Sequence, residues 1–277
     1  MTACKFNNDP QNPYIWYYHC QIYGFCHTRK EIYMNVLVAC EESQRVCTAF
    51  REKGHNAFSC DILPCSGGHP EWHIQGDVLQ FLNPEVLFPG ELPGIQFFTM
   101  DNEYHCFPGK WDLIIAHPPC TYLTNAGTRQ YSFKMNPPEK VYARMALREE
   151  AADFFMQFVN ADCDRICIEN PVGYMNSKYR KPDQTVQPYW FAKDENDEEN
   201  YQLKRTCFWL KNLEPLPCNK NMKHPEPMYI CEGEKCKGKK IYWCEGSRGN
   251  KGGQAARAKA RSKTFPAIAK AMADTWG

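Results

Sequence analysis

Trp111-Asp112-Leu113-Ile114-Ile115-Ala116-His117-Pro118-Pro119-Cys120-Thr121 is an apolar run that stops abruptly at a histidine and two prolines. A continuous run, rather than an alternating one, marks a strand covered on both faces, as in parallel sheets. Each proline fixes its own φ and restricts the residue before it, so the chain leaves this strand through a stiff loop. A thiol at Cys120 is therefore held at a fixed position just beyond a strand end.

Similar runs lie on either side. Val36-Leu37-Val38-Ala39-Cys40 predicts a strand, followed by a helix over about 43–53 with Val46, Ala49 and Phe50 on one face and a stop at Gly54. Ala57-Phe58-Ser59-Cys60 predicts a second strand closing at Asp61, and a Pro/Gly-rich loop is expected from Asn83 to Gly109. Val141, Met145, Ala152, Phe155 and Val159 predict a long helix over 139–160, and Arg165-Ile166-Cys167-Ile168 a strand ending at Glu169. Strands alternating with helices imply βαβ units, a mostly parallel α/β sheet, and functional residues at the carboxyl ends of the strands.

Polar residues collect at those ends. Asp61 stands where nucleotide-binding folds hydrogen-bond a ribose. Glu169-Asn170-Pro171 is a second proline-locked strand end. A cysteine nucleophile beside a carboxylic acid suits addition to an electron-poor heterocycle: sulfur attacks a ring carbon while the acid interacts with a ring nitrogen.

At these residues the sequence resembles the DNA cytosine-5 methyltransferases, and most closely the compact versions carried by bacteriophages and prophages. Pro118-Pro119-Cys120 with Leu123, Thr124, Ala126 and Gly127 is similar to that family's nucleophile motif, and Glu169-Asn170-Pro171 to its second catalytic motif. Val38-Ala39-Cys40-Glu41-Glu42-Ser43 sits where the family has a glycine-rich methyl-donor loop, Asp61 where its ribose-binding acid falls and Asp77 where its adenine-contacting acid falls. Lys204-Arg205-Thr206 lies near the place of a basic catalytic motif, and Arg261-Ser262-Lys263-Thr264-Phe265-Pro266 with a helix over 267–276 resembles the closing motif.

The resemblance implies a Rossmann-like adenosylmethionine-dependent methyltransferase fold with a small basic insert. It also implies Cys120, Glu169, Asn170 and Arg205 as catalytic residues. Ala39, Cys40, Glu41, Glu42, Ser43, Asp61, Ile62, Asp77 and Pro118 would lie against S-adenosylmethionine. Cys120 would add to carbon 6 of a flipped-out cytosine, Glu169 would contact nitrogen 3, and carbon 5 would take the methyl group. The chain departs from the pattern where Cys40, Glu42 and Ser43 replace glycines and where Thr121 replaces a glutamine. An acid in that loop is suited to the amino group of the donor. Transfer of a different group to a pyrimidine, or a catalytically idle DNA-binding relative, are the alternative readings.

The remainder of the chain fits this outline. Of 277 residues, 33 are Lys or Arg and 32 Asp or Glu. The near-neutral total hides a run of five acids in Asp194–Glu199, expected as a solvated loop, and nine basic residues between Lys237 and Lys263. That basic segment is expected to meet the phosphates of double-stranded DNA through Arg248, Lys251, Arg257, Lys259 and Arg261, with Thr121 also near the nucleic acid.

The expected organisation is an N-terminal extension over 1–33, a catalytic domain over 34–190, a DNA-contacting region over 191–260 and a returning C-terminal helix over 261–277. The extension reads as a mis-called leader before Met34, because Lys30-Glu31-Ile32-Tyr33 can be encoded by a ribosome-binding sequence. No run of about 18 apolar residues or secretory signal is present, so a cytoplasmic protein is expected; the resemblance implies a bacterial or phage-infected cell, and a monomer is expected. The 16 cysteines are then expected as reduced thiols. Cys218, Cys231, Cys236 and Cys244 make a weak zinc candidate against free thiols on a hairpin formed by 229–231 and 240–243.

Overall fold

A computed structural model describes residues 33–86, 93–234, 236–242 and 261–277. Its centre is a seven-stranded, mostly parallel sheet. The strands are β1 (Asn35–Ala39), β2 (Asn56–Asp61), β3 (His73–Gln75), β6 (Leu113–Ala116), β7 (Ile166–Pro171), β8 (Gln184–Val186) and β9 (Thr206–Lys211), in the order β3-β2-β1-β6-β7-β9-β8. β1 pairs in parallel with β2 and β6, β2 with β3, and β6 with β7, while β9 runs antiparallel to both β7 and β8. The strand order reverses between β1 and β6, so the crevice outside their carboxyl ends is where an α/β sheet of this kind takes a ligand.

Helices cover both faces. Val36, Val38, Leu113, Ile115, Cys167 and Phe208 pack under α1 (Arg45–Glu52) and the C-terminal helix α4 (Pro266–Trp276). The alternate residues Leu37, Ile114, Ile166, Ile168 and Trp209 pack under α2 (Pro138–Val159), through Ala152, Phe155 and Phe158. A short α3 (Met175–Lys178) follows β7. The period-2 alternation of buried strands thus feeds two cores at once. α2 begins with a proline in its first turn, where the missing amide donor costs nothing.

The strands expected near 36–40, 57–60, 111–116 and 165–168 and the helices near 43–53, 139–160 and 267–276 are present within a few residues. The loop expected from Asn83 to Gly109 is corrected. It contains an antiparallel ribbon, β4 (Gly94–Phe98) and β5 (Tyr104–Pro108), whose Phe97 and Phe107 rings lie 5.9 and 4.9 Å from Trp111. Proline and glycine at the ribbon's ends conceal an apolar alternation that buries Ile95 and Phe97 against the sheet. β9 also carries the central sheet past residue 190, so the sheet does not end where the catalytic domain was expected to end.

The hairpin is present as β10 (Tyr229–Ile230) paired antiparallel with β11 (Lys240–Ile241). Its free thiols are corrected: Cys231 and Cys236 are joined in a disulfide across the turn. Residues 1–32, with nearly all of the expected leader, lie outside the described residues, as do Cys244, Arg248, Lys251, Arg257 and Lys259. Among the described residues, no helix is long and apolar enough to cross a membrane.

Candidate active site

The register of the central strands assembles the site. Ala39 lies opposite Ala116, and Ala116 opposite Ile168, so the residues that follow, Cys40, His117 and Glu169, meet at one edge of the sheet. The His117 amide extends this edge by donating to the Ala39 carbonyl at 2.9 Å. Because β9 is reversed, its amino end joins the same edge, with Thr206 opposite Pro171 and Phe208 opposite Glu169.

Cys120 is exposed at the rim of this crevice. Burial of the sulfur's surroundings and the charge of Glu169 hold its thiol above the ordinary value, while Lys204 and Arg261 pull in the opposite direction. Glu169 is only 13% exposed and receives a 3.0 Å hydrogen bond at Oε2 from His117 Nδ1. Burial pushes its carboxyl up, but His117, the Lys204 charge and the Thr206 side chain outweigh it, so Glu169 lies below the usual glutamate range. An ionised carboxylate only accepts, which makes Nδ1 the protonated nitrogen of the ring.

Asn170 is buried and ties the two motifs together, its Nδ2 donating to the Pro118 carbonyl at 2.8 Å. Its Oδ1, like His117 Nε2, is buried without a hydrogen-bond partner. Thr124, beyond Cys120, makes a β-bridge to Gly173, and the Tyr174 amide donates to the Leu123 carbonyl at 2.7 Å. Thr121 is exposed, and its carbonyl accepts from Arg144 at 3.3 Å. The Arg144 guanidinium lies 4.9 Å from the Tyr122 ring, and that of Arg148 4.1 Å from Tyr174, so two stacked cations flank the loop.

Of the basic motif, Lys204 rather than Arg205 faces the crevice. Strand alternation puts Lys204 and Thr206 on the side of Phe208 and Glu169, and Arg205 is exposed on the other. Alternation from the buried Phe208 was the sequence signal for this choice. Arg261, expected at the nucleic acid, carries its charge close enough to act on Cys120.

The residues expected to form a donor loop are also gathered at this edge. Cys40 adopts φ 59°, the left-handed conformation that favours glycine, so the loop follows a glycine-like path without one. Asp61 and Asp77 both act on Cys40, whose thiol is raised first by burial and then by these two charges. Asp61 Oδ1 accepts the Leu63 amide at 2.9 Å, Asp77 Oδ1 accepts the Leu79 amide at 3.1 Å, and Ile62 stands 73% exposed beside them. Ala39, Glu42, Ser43 and Pro118 are buried around the same edge.

Glu41, one of the two acids in this loop, closes a helix. Its two carboxylate oxygens accept the Val46 and Cys47 amides at 2.7 and 3.1 Å, closing the amino end of α1. Burial raises its carboxyl, against the lowering influence of His117 and these amides. The position where a dinucleotide would place its pyrophosphate is thereby filled by the protein's own carboxylate. Glu41→Ala is expected to orphan two buried amides and cost on the order of 2–3 kcal/mol. Thermal denaturation checks this as a fall in Tm of roughly 4–10 °C, and an unchanged Tm refutes the capping role.

For the zinc candidate, Cys218 is a free, partly exposed thiol and Cys231 and Cys236 bond each other. Among the described residues no group of three or more His, Cys, Asp or Glu is placed to hold a metal. No protein-family model matches this chain, and no curated protein matches it.

Proposed function

We propose that this chain methylates carbon 5 of cytosine in double-stranded DNA, with S-adenosylmethionine as the donor. The observation that carries the reading is the meeting of Cys120 and Glu169 at the ends of neighbouring strands, beside the point where the strand order reverses. A lone reactive thiol would support many chemistries. A thiol that shares its crevice with an ionised carboxylate and the cation of Lys204 is suited to adding to a polarised ring.

The fold and the donor side support the same reading. The reversed β9, inserted between β7 and β8, departs from the plain dinucleotide-binding order and suits the methyltransferase variant of it. With α1 closed by Glu41, the crevice does not call for a phosphate. Asp61 and Asp77 give it a negative field that suits a cationic sulfonium nucleoside, and exposed Ile62 offers an apolar face to its base. When bound, S-adenosylmethionine supplies an electrophilic methyl group to carbon 5.

The chain's own residues perform the remaining steps. Cytosine, flipped out of the duplex, would bring carbon 6 to the Cys120 sulfur. Glu169 would hold nitrogen 3 and stabilise the charge that addition creates. Lys204 and Arg261 favour the thiolate that attacks and later leaves.

Duplex DNA incubated with the protein and methyl-labelled adenosylmethionine, then digested to nucleosides for mass analysis, tests the proposal. The expected product is 5-methylcytidine's deoxynucleoside. Unlabelled DNA removes the reading, and a heavier substituent on carbon 5 replaces the donor while keeping the pyrimidine chemistry.

A further inference from the structure

Two arginines beside the Cys120 loop are used by no step above. Arg144 and Arg148 lie four residues apart on α2, so they share one face of the helix. The Arg144 guanidinium lies 4.9 Å from the Tyr122 ring and 5.3 Å from that of Tyr131. The Arg148 guanidinium lies 4.4 Å from Tyr131 and 4.1 Å from Tyr174. Ring and cation thus alternate through Tyr122, Arg144, Tyr131, Arg148 and Tyr174, along the loops that follow Cys120 and Glu169. The series is fixed at several points. The Tyr131 hydroxyl donates to the Tyr122 carbonyl at 2.8 Å, and Gly127 leaves room for Arg144, since a Cβ there would lie 3.1 Å from its Nη2.

Other stacked guanidiniums of this protein are also paired. Arg51, 4.5 Å from the Phe58 ring, donates to the Ala57 carbonyl at 2.7 Å, and Arg180, 5.3 Å from that of Tyr179, pairs with Asp183 at 2.7 Å. Arg144 spends one nitrogen on the Thr121 carbonyl at 3.3 Å, and among the described residues Arg148 makes neither a hydrogen bond nor an ion pair. The Nε atoms of both are buried without a partner. Glu149, whose carboxyl feels the Arg148 charge, is engaged at 2.7 Å by the Tyr174 hydroxyl and at 2.7 Å by Lys178. Two half-buried cations are therefore held in place with most of their donors unused. A staple between loops and helix needs the rings and the aliphatic stems, but it does not need rigid charges without counter-ions.

We propose that Arg144 and Arg148 bind backbone phosphates of the DNA strand that brings cytosine to Cys120; the assignment rests on the DNA reading of the site. A planar guanidinium held against a ring keeps its charge, and it has already lost the rotamer freedom that a loose side chain gives up on binding. Phosphates flank every sugar of a strand, so a nucleotide whose base enters the crevice leaves them at its rim, where these cations stand. Two cations along one helix face suit a chain of phosphates better than a single anion. The basic residues that the sequence assigned to DNA lie mostly between Lys237 and Lys263. Arg144 and Arg148 add a contact from the helix that joins β6 to β7.

Fluorescent duplex DNA titrated at a series of sodium chloride concentrations tests this. Each phosphate contact contributes about 0.9 to the negative slope of log K against log salt. Arg148→Gln is expected to flatten that slope by about 1, and the double variant with Arg144→Gln by about 2, with weaker binding to every duplex sequence tried. A structural ladder alone would lower the melting temperature and leave the slope as it was. An unchanged slope in the double variant overturns the proposal. Undetectable or salt-independent binding of duplex by the wild-type protein removes the DNA reading itself, and the arginine assignment with it.

The unaltered protein supplies a second measurement if the variants misfold. Phenylglyoxal, which condenses with guanidinium groups, is applied with and without saturating duplex DNA, and the modified peptides are identified by mass. Arg144 and Arg148 are expected to react in the free protein and to lose most of that reaction in the complex. Equal modification in both states, or none in the free protein, overturns the assignment.

Discussion

Cys120→Ser is expected to lower methyl transfer to DNA by at least about 10⁴-fold, because removing a nucleophile leaves only binding and electrostatics to accelerate the reaction. The side chain is exposed at the crevice rim and none of its atoms fills the core, so melting temperature and DNA affinity are expected to stay unchanged. Residual transfer within tenfold of wild type would assign the chemistry to another residue.

The pH dependence of the same thiol reports on its neighbours. Since burial and Glu169 raise it, alkylation of Cys120 by iodoacetamide is expected to reach half its limit above the ordinary cysteine value of about 8.5. Glu169→Gln removes a raising charge and moves the midpoint down; Lys204→Ala removes a lowering charge and moves it up. Glu169→Gln should therefore hasten alkylation at neutral pH while slowing transfer about 10²–10⁴-fold. The stability that ionised Glu169 contributes follows the opposite limb. Its folded-state value lies below the unfolded one, so the contribution is complete above about pH 4.3 and lost as pH falls through the folded value.

Gly173→Ala is expected to give the largest loss of stability among single-methyl changes near the site. A Cβ at this position would lie 2.0 Å from the Leu123 carbonyl oxygen, 2.8 Å from its carbon and 3.0 Å from the Thr124 Cα. These are backbone atoms of the Cys120 loop, which is held from both sides: Asn125 donates to the Val172 carbonyl at 3.2 Å and Tyr174 to that of Leu123 at 2.7 Å. Relief requires the two motifs to move apart. A cost of about 3 kcal/mol and a Tm lower by roughly 6–12 °C follow. Separation of Cys120 from Glu169 by about an ångström would lower transfer by about 10²-fold in the protein that still folds. Wild-type melting and turnover would show that the loops tolerate the extra methyl group.

What the sequence made legible depended on burial. β1, β6 and β7 are covered on both faces, so they read as apolar runs, and their carboxyl ends carried the residues that meet in space. β3 and β8 are three-residue strands, too short to show a period. β9 was hidden behind the basic motif, and alternation along it, not residue type, separates Lys204 from Arg205. Glu41 was legible as an acid in a ligand loop but not as a cap, because its partners become donors only once α1 exists. His117 was in plain view beside Cys120, yet its partner is 52 residues away and reaches it only through strand pairing. Nothing in the sequence marks Gly173, since its constraint comes from backbone brought in by a β-bridge.

The docking of α4 has a bearing on when the crevice is completed during synthesis. Ile268, Ala269, Met272 and Trp276 pack in the same core as Val46 and Phe50 of α1, and Arg165 donates to the Trp276 carbonyl at 2.7 Å. A chain emerging from the ribosome can pair β1, β2, β6 and β7 early, but α1 waits with one flank uncovered until α4 is released. The Cys120 loop is made well before α1, which flanks the crevice, is covered. Vectorial synthesis thereby imposes a delay between building the Cys120 loop and covering the helix beside it.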